Sequence, residues 1–485
     1  MLFLSHLFYF FVIGLLVVYY CIPTKYRWII LLLGSLGIYA YISRKGIILL
    51  LFAATVSYLC GLLLEKWREN DKKATYRKWI LGGGIILAAA PLLCLKIGEL
   101  FLKRITEWNG YELFAVLGIS YFTLQVIGYM ADVYRGTVTA QKNIAKYLLF
   151  VTFFPQMVQG PIARYNQLGN QFFEHTGFCE RLFAKGFQRI LFGFFLKFMI
   201  ADKAGIVVDT LFTNWRLYEG SYVWVAGILY SIQIYTDFMA CIYIVRGIAS
   251  LFGIELADNF KQPYFSGSIK EFWGRWHISL SHWLRDYIYI PLGGNRKGII
   301  RKWCNLIVVF LVSGLWHGNG LTFLAWGMMH AVYQIAGEAT LKIRGKIRSA
   351  LKIRDSELLS SLLHKGFTFL EVMVAWIVFR AESLQCAISM IRSMFTVCNP
   401  WIFFDDSLFR LGLDIKEMIL LMASVVVLFV VSYKKHKDKV RLGDWFQEQH
   451  IIFRVGVYMA AIIVIVMFGT YGYGFNSQDF IYGGF

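Results

Sequence analysis

The sequence has few charged residues and lacks the motifs of most soluble enzymes. Only 16% of its 485 residues are charged, whereas 58% are hydrophobic, and this excludes an ordinary soluble globular protein. It has no G-x-S-x-G elbow, no P-loop and no dinucleotide-binding fingerprint, which disfavours soluble hydrolase, ATPase and Rossmann chemistry. No H-E-x-x-H pattern is present, and His277 and His282 lack a Cys or Glu at a recognised ligand spacing. We therefore predict that the chain binds no metal.

Two further absences concern the cysteines and the N-terminus. The eight cysteines lie mostly within apolar stretches and never as a close pair, which argues against a disulfide framework. The apolar stretch that begins at Leu2 has no basic region before it and no small-residue cleavage site after it. It is therefore predicted to be a retained first membrane span rather than a signal peptide.

The sequence does contain a series of apolar stretches long enough to cross a bilayer, which takes about 17–25 residues. They predict an all-α, multi-pass transmembrane bundle with about 10–12 spanning helices. We expect a single integral-membrane domain over residues 1–485, with N-terminal helices in 1–135, a core in 136–340 and C-terminal helices in 341–485. The stretches lie near residues 3–22, 27–43, 46–64, 79–98, 111–133, 187–208, 222–252, 303–337, 366–380, 415–432 and 452–470.

The formal net charge of +19 is distributed in short runs of Lys and Arg between the apolar stretches. This pattern is typical of loops retained in the cytoplasm, so the lipid bilayer is the expected partner and no nucleic acid is expected. The connector after the third stretch has six basic residues between positions 66 and 78, whereas the connector after the second has only Arg44 and Lys45. The positive-inside rule therefore predicts that the N-terminus lies outside the cell.

Residues 153–298 differ from the rest of the chain. Their apolar stretches are mostly short and are interrupted by Pro155, Pro161, Pro263 and Pro291. Irregular backbone is tolerated at membrane depth only where protein or water satisfies its polar groups. Some of this region is therefore predicted to be re-entrant or interfacial and to border an internal cavity.

His317 is the strongest candidate for chemistry. It follows the apolar run 306–312, so it is expected to lie at membrane depth, where polar side chains are costly and usually functional. Imidazole exchanges a proton near neutral pH, which suits a general base. The alternative is a structural histidine that donates one hydrogen bond to a neighbouring helix.

Two other segments each allow two interpretations. The turn 293–298, with Arg296 and Lys297, is suited to holding an anionic group or is a plain interfacial turn. Residues 270–287 combine aromatic and ionisable side chains. An amphipathic helix at the membrane surface explains this composition, and a part of a functional site is the other interpretation.

Across most of its length the sequence resembles the membrane-bound O-acyltransferase family, in particular its bacterial branch with alginate O-acetyltransferases and teichoic-acid D-alanyl transfer proteins. The most specific blocks are EFWGRWH at 271–277, WLRDYIYIPLGGNR at 283–296 and GLWHG at 314–318. Supporting blocks are GISYFT at 118–123, DVYRG at 132–136, GPIARY at 160–165 and residues 197–202. The tail at 480–482 also agrees.

The resemblance implies helices arranged around a central funnel that acyl donor and acceptor enter from opposite sides. His317 would be the essential catalytic histidine, acting as general base or as a carrier of the acyl group. His277 would be a second catalytic residue that polarises the thioester carbonyl or orients the substrate. The further residues expected to contact substrate are Trp316, Trp276, Trp283, Asp237, Arg285, Asn295 and Arg296.

By the same resemblance, the chain is an O-acyltransferase of the bacterial cytoplasmic membrane. It would take an acyl group, above all acetyl, from a thioester co-substrate such as acetyl-CoA or an acyl carrier protein, with no bound cofactor. A separate acyltransferase of the SGNH type would pass the group to a cell-envelope polysaccharide. The alternatives are a multi-pass transporter or lipid flippase without acyl chemistry, and an inactive relative that serves as a scaffold.

One block departs from the branch pattern. Where relatives usually read Asp-Phe-Ser-Gly-Tyr-Ser-Asp, this chain reads DFMACIY at 237–243. A Ser, a Gly and the second acidic residue are replaced, while Asp237 and both signature histidines remain. The lining of the site is therefore expected to differ from that of alginate enzymes, which affects acceptor identity most.

Overall fold

The computed structural model describes residues 2–97, 116–174, 177–350, 357–437, 442–471 and 480. Regular secondary structure in these residues is entirely helical, without a strand among them. The all-α prediction is therefore confirmed. The chain divides into two compact units, of which unit 1 comprises Met1–Phe192, Cys241–Asp258 and Tyr482–Phe485 and unit 2 comprises Gly193–Ala240 and Asn259–Ile481.

Unit 1 contains the N-terminal helices. Its interior includes polar contacts between helices, such as the hydrogen bond of 2.6 Å between Ser57 Oγ and Tyr147 Oη. Buried hydroxyls are tolerated when they are paired in this way. The helices are α1 His6–Cys21, α2 Arg27–Ile42, α3 Gly46–Lys66, α4 Ala74–Ile97, α5 Ile119–Arg135, α6 Ile144–Thr152, α7 Tyr165–Leu168 and α8 Glu180–Phe194, whose last two residues belong to unit 2.

Unit 2 contains the three most specific blocks, 271–277, 283–296 and 314–318, which we call the signature blocks. Two short π-helical segments, Phe195–Ala201 and Arg285–Tyr289, interrupt its helical structure, and such segments often occur at functional sites. The α-helices are α9 Asp202–Thr213, α10 Ser221–Leu251, which continues into unit 1 from Cys241, α11 Ile269–Arg275, α12 Ile278–Leu284, α13 Ile299–His317, α14 Leu321–Ala339, α15 Leu341–Ala350, α16 Glu357–Arg380, α17 Leu384–Thr396, α18 Ile415–Lys437, α19 Leu442–Gln447 and α20 Ile451–Phe468.

Seven helices within the described residues are long and apolar enough to cross a membrane. They are α3, α4, α10, α13, α16, α18 and α20. Other predicted stretches form shorter helices, among them α1 and α2 with 16 residues each, and the stretch near 111–133 begins outside the described residues. The region predicted to be irregular contains the short helices α11 and α12, but it also contains α10, a regular helix of 31 residues.

The stretch 303–337 is two helices rather than one. Helix α13 ends at His317, and α14 begins at Leu321 after a break at 318–320. The two helices pack with their backbones in contact, because Gly314 of α13 and Gly327 of α14 have no side chain. A Cβ atom on Gly327 would overlap the Phe310 carbonyl oxygen, and one on Gly314 would meet the Phe323 carbonyl oxygen. Small residues allow this close approach of membrane helices.

The contact between α13 and α14 can be tested by adding one methyl group. We expect Gly327→Ala to destabilise the protein by about 1–3 kcal/mol, the usual cost of overpacking. Gly337→Ala on the same helix is the control, since no atom lies within 4 Å of its added Cβ. Thermal melting of both variants in detergent measures the difference. Equal melting temperatures would show that the helices do not pack in this way.

Candidate active site

His317 is the last residue of α13 and is almost completely buried, with 1% of its surface exposed. The helix ends there because the chain turns into extended backbone at Gly318. An added Cβ on Gly318 would overlap the Phe323 ring, so a larger residue after the histidine would force that ring to shift. The break therefore fixes the imidazole at a helix end, between α13 and α14.

Three aromatic rings surround His317. Its ring centroid lies 4.8 Å from that of Trp316, 5.1 Å from Trp326 and 5.6 Å from Phe379. These rings come from α13, α14 and α16, so three separate helices enclose the imidazole. With only 1% of His317 exposed, these rings shield the imidazole from solvent.

His277 lies in the two-residue link between α11 and α12. It is 1% exposed, and its φ of 43° places it in the left-handed region. A residue with a side chain there is strained by roughly 1–3 kcal/mol, and such strain often marks a functional position. Asn259 holds the turn, since its carbonyl oxygen accepts from Ile278 N at 3.1 Å and its Oδ1 accepts from Ser279 N at 2.9 Å.

Helix α11 sets the approach to this turn. Ser268 caps its N-terminus by accepting a hydrogen bond of 3.2 Å from Glu271 N. Glu271 in turn accepts from Gly267 N at 2.7 Å through Oε2. This reciprocal arrangement resembles a capping box. The sequence Ser-x-x-Glu therefore determines where α11 begins and, seven residues later, where Trp276 and His277 are placed.

Trp316 connects the two histidines. Its ring centroid lies 6.0 Å from that of His277 and 4.8 Å from that of His317. Both imidazoles therefore belong to one buried aromatic cluster within unit 2. The ring of His277 also contacts that of Phe238, with centroids 4.8 Å apart. The structure thus brings together three of the residues singled out in the sequence, namely His277, Trp316 and His317.

Trp276 extends this cluster. It is 1% exposed and contacts Phe260 at 5.1 Å and Trp376 at 5.0 Å. Trp376 in turn stacks against Trp326 at 5.8 Å. Trp276 is therefore packed in the same aromatic cluster as His277. Trp326, Trp376 and Phe379 were not predicted to contact substrate, although Trp326 and Phe379 lie in segments that also resemble the family.

Asp237 is buried and takes part in an ionic network. Lys197 Nζ donates to Asp237 Oδ1 at 2.7 Å and lies 2.9 Å from Asp202 Oδ1. All three side chains are at most 5% exposed. Asp237 immediately precedes Phe238, which contacts His277. The aspartate thus anchors this part of α10 to the π-helical segment 195–201. The altered block continues into unit 1, where Cys241 Sγ lies 3.1 Å from Gln159 Oε1.

Of the remaining predicted residues, Trp283 is buried, whereas Arg285, Asn295 and Arg296 lie at the surface. Trp283 is 8% exposed and contacts Tyr287, while the half-exposed Arg285 pairs with Asp286 at 2.7 Å. Asn295 and Arg296 are exposed on the turn before α13. Because α13 has 19 residues, its two ends are about 27 Å apart at 1.5 Å per residue. The turn is therefore not brought to His317.

His330 is a further buried histidine, and the Trp326 ring contacts both it and His317. It lies on α14, is 0% exposed, and contacts Trp326 at 5.1 Å and Trp273 at 5.0 Å. Neither ring nitrogen has a hydrogen-bond partner within the described residues. Trp326 is therefore enclosed between two imidazoles. The described residues contain no group of three or more His, Cys, Asp or Glu side chains suited to a metal ion.

Comparison with known proteins connects this geometry to a family. Residues 139–349 match the membrane-bound O-acyltransferase family, and this range contains His277, Trp316 and His317. A probable alginate O-acetylase of Azotobacter vinelandii is 35% identical over 438 residues, covering 88% of this chain and 84% of the relative. The chain belongs to the membrane-bound O-acyltransferase family.

Two other relatives of this acyltransferase carry different names. A peptidoglycan O-acetyltransferase of Helicobacter pylori is 31% identical over 75% of this chain and 73% of its own length. A teichoic acid D-alanyltransferase of Bacillus subtilis is 28% identical over 56% of this chain and 71% of its own length. The predictions of the bacterial branch, of a multi-pass membrane protein and of an O-acyltransferase rather than a transporter are thereby confirmed.

Proposed function

We propose that this O-acyltransferase moves an acetyl group from a cytoplasmic thioester across the membrane for O-acetylation of a cell-envelope polysaccharide. The relatives with 35% and 31% identity are named for the O-acetylation of alginate and of peptidoglycan. Both of these polymers belong to the cell envelope. The supporting observation in the structure is that His277 and His317 are buried in one aromatic cluster and joined by Trp316.

In the proposed reaction His317 is the general base. Its neutral imidazole takes the proton of the acceptor hydroxyl while that oxygen attacks the thioester carbonyl. The tetrahedral intermediate then collapses, the carbon–sulfur bond breaks, and the thiolate receives the proton from His317. In a second version, an imidazole nitrogen of His317 attacks the thioester carbonyl, the carbon–sulfur bond breaks, and the thiolate leaves with the proton of the ring. The acceptor hydroxyl then attacks the acetylated imidazole, the carbon–nitrogen bond breaks, and the hydroxyl proton returns to the ring.

His277 is proposed to stabilise the oxygen that becomes negative in the intermediate. A donor preorganised at this position typically contributes a few kcal/mol to the transition state, because water is excluded around it. The left-handed backbone at His277 and its capped turn fix the ring before substrate arrives. Trp316 and Trp276 are proposed to form the walls against which the acyl group lies.

The location of the enzyme, its acyl donor and its partner protein are also part of the proposal. We propose that the enzyme lies in the bacterial cytoplasmic membrane with its N-terminus outside, as the basic connectors indicate. The donor is acetyl-CoA or an acyl carrier protein thioester, with no bound cofactor. A separate SGNH-type acyltransferase outside the membrane would receive the acetyl group and complete its transfer to the polymer.

Labelled acetyl-CoA supplied to the inner face of membrane vesicles tests the proposal. We expect free CoA to be released only when the enzyme is present, and the label to appear on envelope polysaccharide when the extracytoplasmic components are included. The O-acetyl content of the polymer, measured by NMR after gene deletion, should fall. Unchanged O-acetylation together with no CoA release would contradict the proposal.

A further inference from the structure

A polar cleft lies in unit 2 beside the N-terminal part of α16. Its volume is about 570 Å³, within the range of sites that bind small molecules. Side chains from α11, α16 and α18 line it. We call it the basic cleft and define it by Glu271, Arg275, Ser361, His364, Lys365 and His436.

The charges of the basic cleft favour an anion. Arg275 and Lys365 are cationic, and Glu271 is the only carboxylate among the described residues that line the cleft. Both oxygens of Glu271 are already engaged, one by Gly267 N and the other by Arg275 Nη2. The Glu271 carboxylate is thus a structural part of the cleft lining, and it orients Arg275. Helix α18 ends in Lys434, Lys435, His436 and Lys437, which adds positive charge next to the cleft.

The remaining donors match a phosphate group. Arg275 Nη1 lies 3.4 Å from His436 Nδ1, so when the guanidinium donates, a neutral His436 carries its proton on Nε2. Phe265 stacks on the His436 ring at 5.1 Å and holds it in place. Serine hydroxyls from α16 complete the lining. Guanidinium, ammonium and hydroxyl donors are the groups that proteins use for phosphate.

The position of the cleft relates it to the active site. Arg275 is the last residue of α11, and only Trp276 separates it from His277. A ligand held by Arg275 is therefore anchored at the start of the turn that carries the strained histidine. A thioester donor with phosphate groups at one end fits this arrangement, since its acyl end and its charged end require different surroundings.

From these observations we propose that the basic cleft binds a phosphate group of the acyl donor, the class of coenzyme thioesters, through Lys365 and Arg275. This inference rests on the proposed function. A phosphate of an anionic lipid headgroup has the same chemistry and is the other source. Lys365 is the residue to test first, because Arg275 also has a structural role in its ion pair with Glu271.

The test compares acetyl transfer from two donors. One is acetyl-CoA, and the other is S-acetyl-N-acetylcysteamine, a short thioester without phosphate. We expect Lys365→Glu to raise KM for acetyl-CoA at least tenfold with kcat nearly unchanged, and to leave the kinetics with the short thioester unaltered. Lys365→Arg should restore KM. Lys416→Gln is the matched control, since this exposed lysine lies at the opposite end of α18.

The outcomes separate the two proposals. An unchanged KM together with unchanged binding of CoA by calorimetry would overturn the donor-phosphate assignment while acetyl transfer continued. Absence of transfer from both donors would contradict the proposed function, whereas CoA binding that still depended on Lys365 would support the cleft. If Lys365→Glu instead releases a co-purified anionic lipid, detected by native mass spectrometry, while KM stays constant, the phosphate is that of a headgroup and the donor assignment fails.

Discussion

Replacing His317 with Gln is expected to lower the rate of acetyl transfer by about 10²–10⁴-fold, the usual contribution of a general base. Glutamine retains hydrogen-bonding groups and similar volume but cannot accept the proton of a hydroxyl. Because His317 is enclosed by Trp316, Trp326 and Phe379, solvent water has poor access to take over its role. The measurement is the initial rate of CoA release by purified enzyme.

The matched control for this substitution is His282→Gln. His282 lies between the blocks 271–277 and 283–296 and is exposed on α12, so its loss should change the rate by less than about twofold. Melting temperatures of both variants confirm that the fold is intact. A His317→Gln enzyme with wild-type turnover would remove the histidine from the mechanism. Trapping of one acetyl group on the wild-type protein, absent from the variant, would favour acyl transfer through the imidazole.

The second large effect is expected at Lys197. Lys197→Met leaves Asp202 and Asp237 buried without their shared cation, and breaking a buried pair in this way costs about 3–5 kcal/mol. We expect a strong loss of folded protein in detergent, measured by gel filtration and thermal melting. The triple variant that adds Asp202→Asn and Asp237→Asn should recover part of the stability, because no buried charge remains.

The control for Lys197 is Lys185→Met. Lys185 pairs with Glu255 at 3.3 Å, but the side chain of Glu255 is 50% exposed, and pairs of this kind contribute about 0–1 kcal/mol. We therefore expect a small change. If Lys197→Met melted at the same temperature as Lys185→Met, the buried network would not stabilise unit 2.

The sequence predicted the helical class and the two histidines of the candidate site more completely than it predicted the side chains around them. Apolar stretches were sufficient for the class, and the signature blocks for the histidines. The break after His317 was not predicted, although Gly318, Asn319 and Gly320 interrupt the apolar stretch 303–337 where α13 ends and glycine and asparagine are typical of turns. The catalytic role of His317 remains a prediction.

Long-range partners had no signal in the sequence. Lys197 and Asp237 are 40 residues apart, and only the folded chain shows that they form an ion pair. Phe379 follows His317 by more than 60 positions and reaches it from α16. Conversely, Asn295 and Arg296 are close to the signature histidines in sequence, but the length of α13 separates them from His317.

The glycine contact between α13 and α14 has a consequence for changing what this enzyme accepts. Trp316 and Trp326 lie on two helices whose backbones are in contact at Gly314 and Gly327, so this contact sets how the two rings are placed. Phe379 comes from a different helix, α16, and contacts the His317 ring. We therefore expect a smaller side chain at Phe379 to enlarge the space beside His317 while the contact between α13 and α14 stays unchanged.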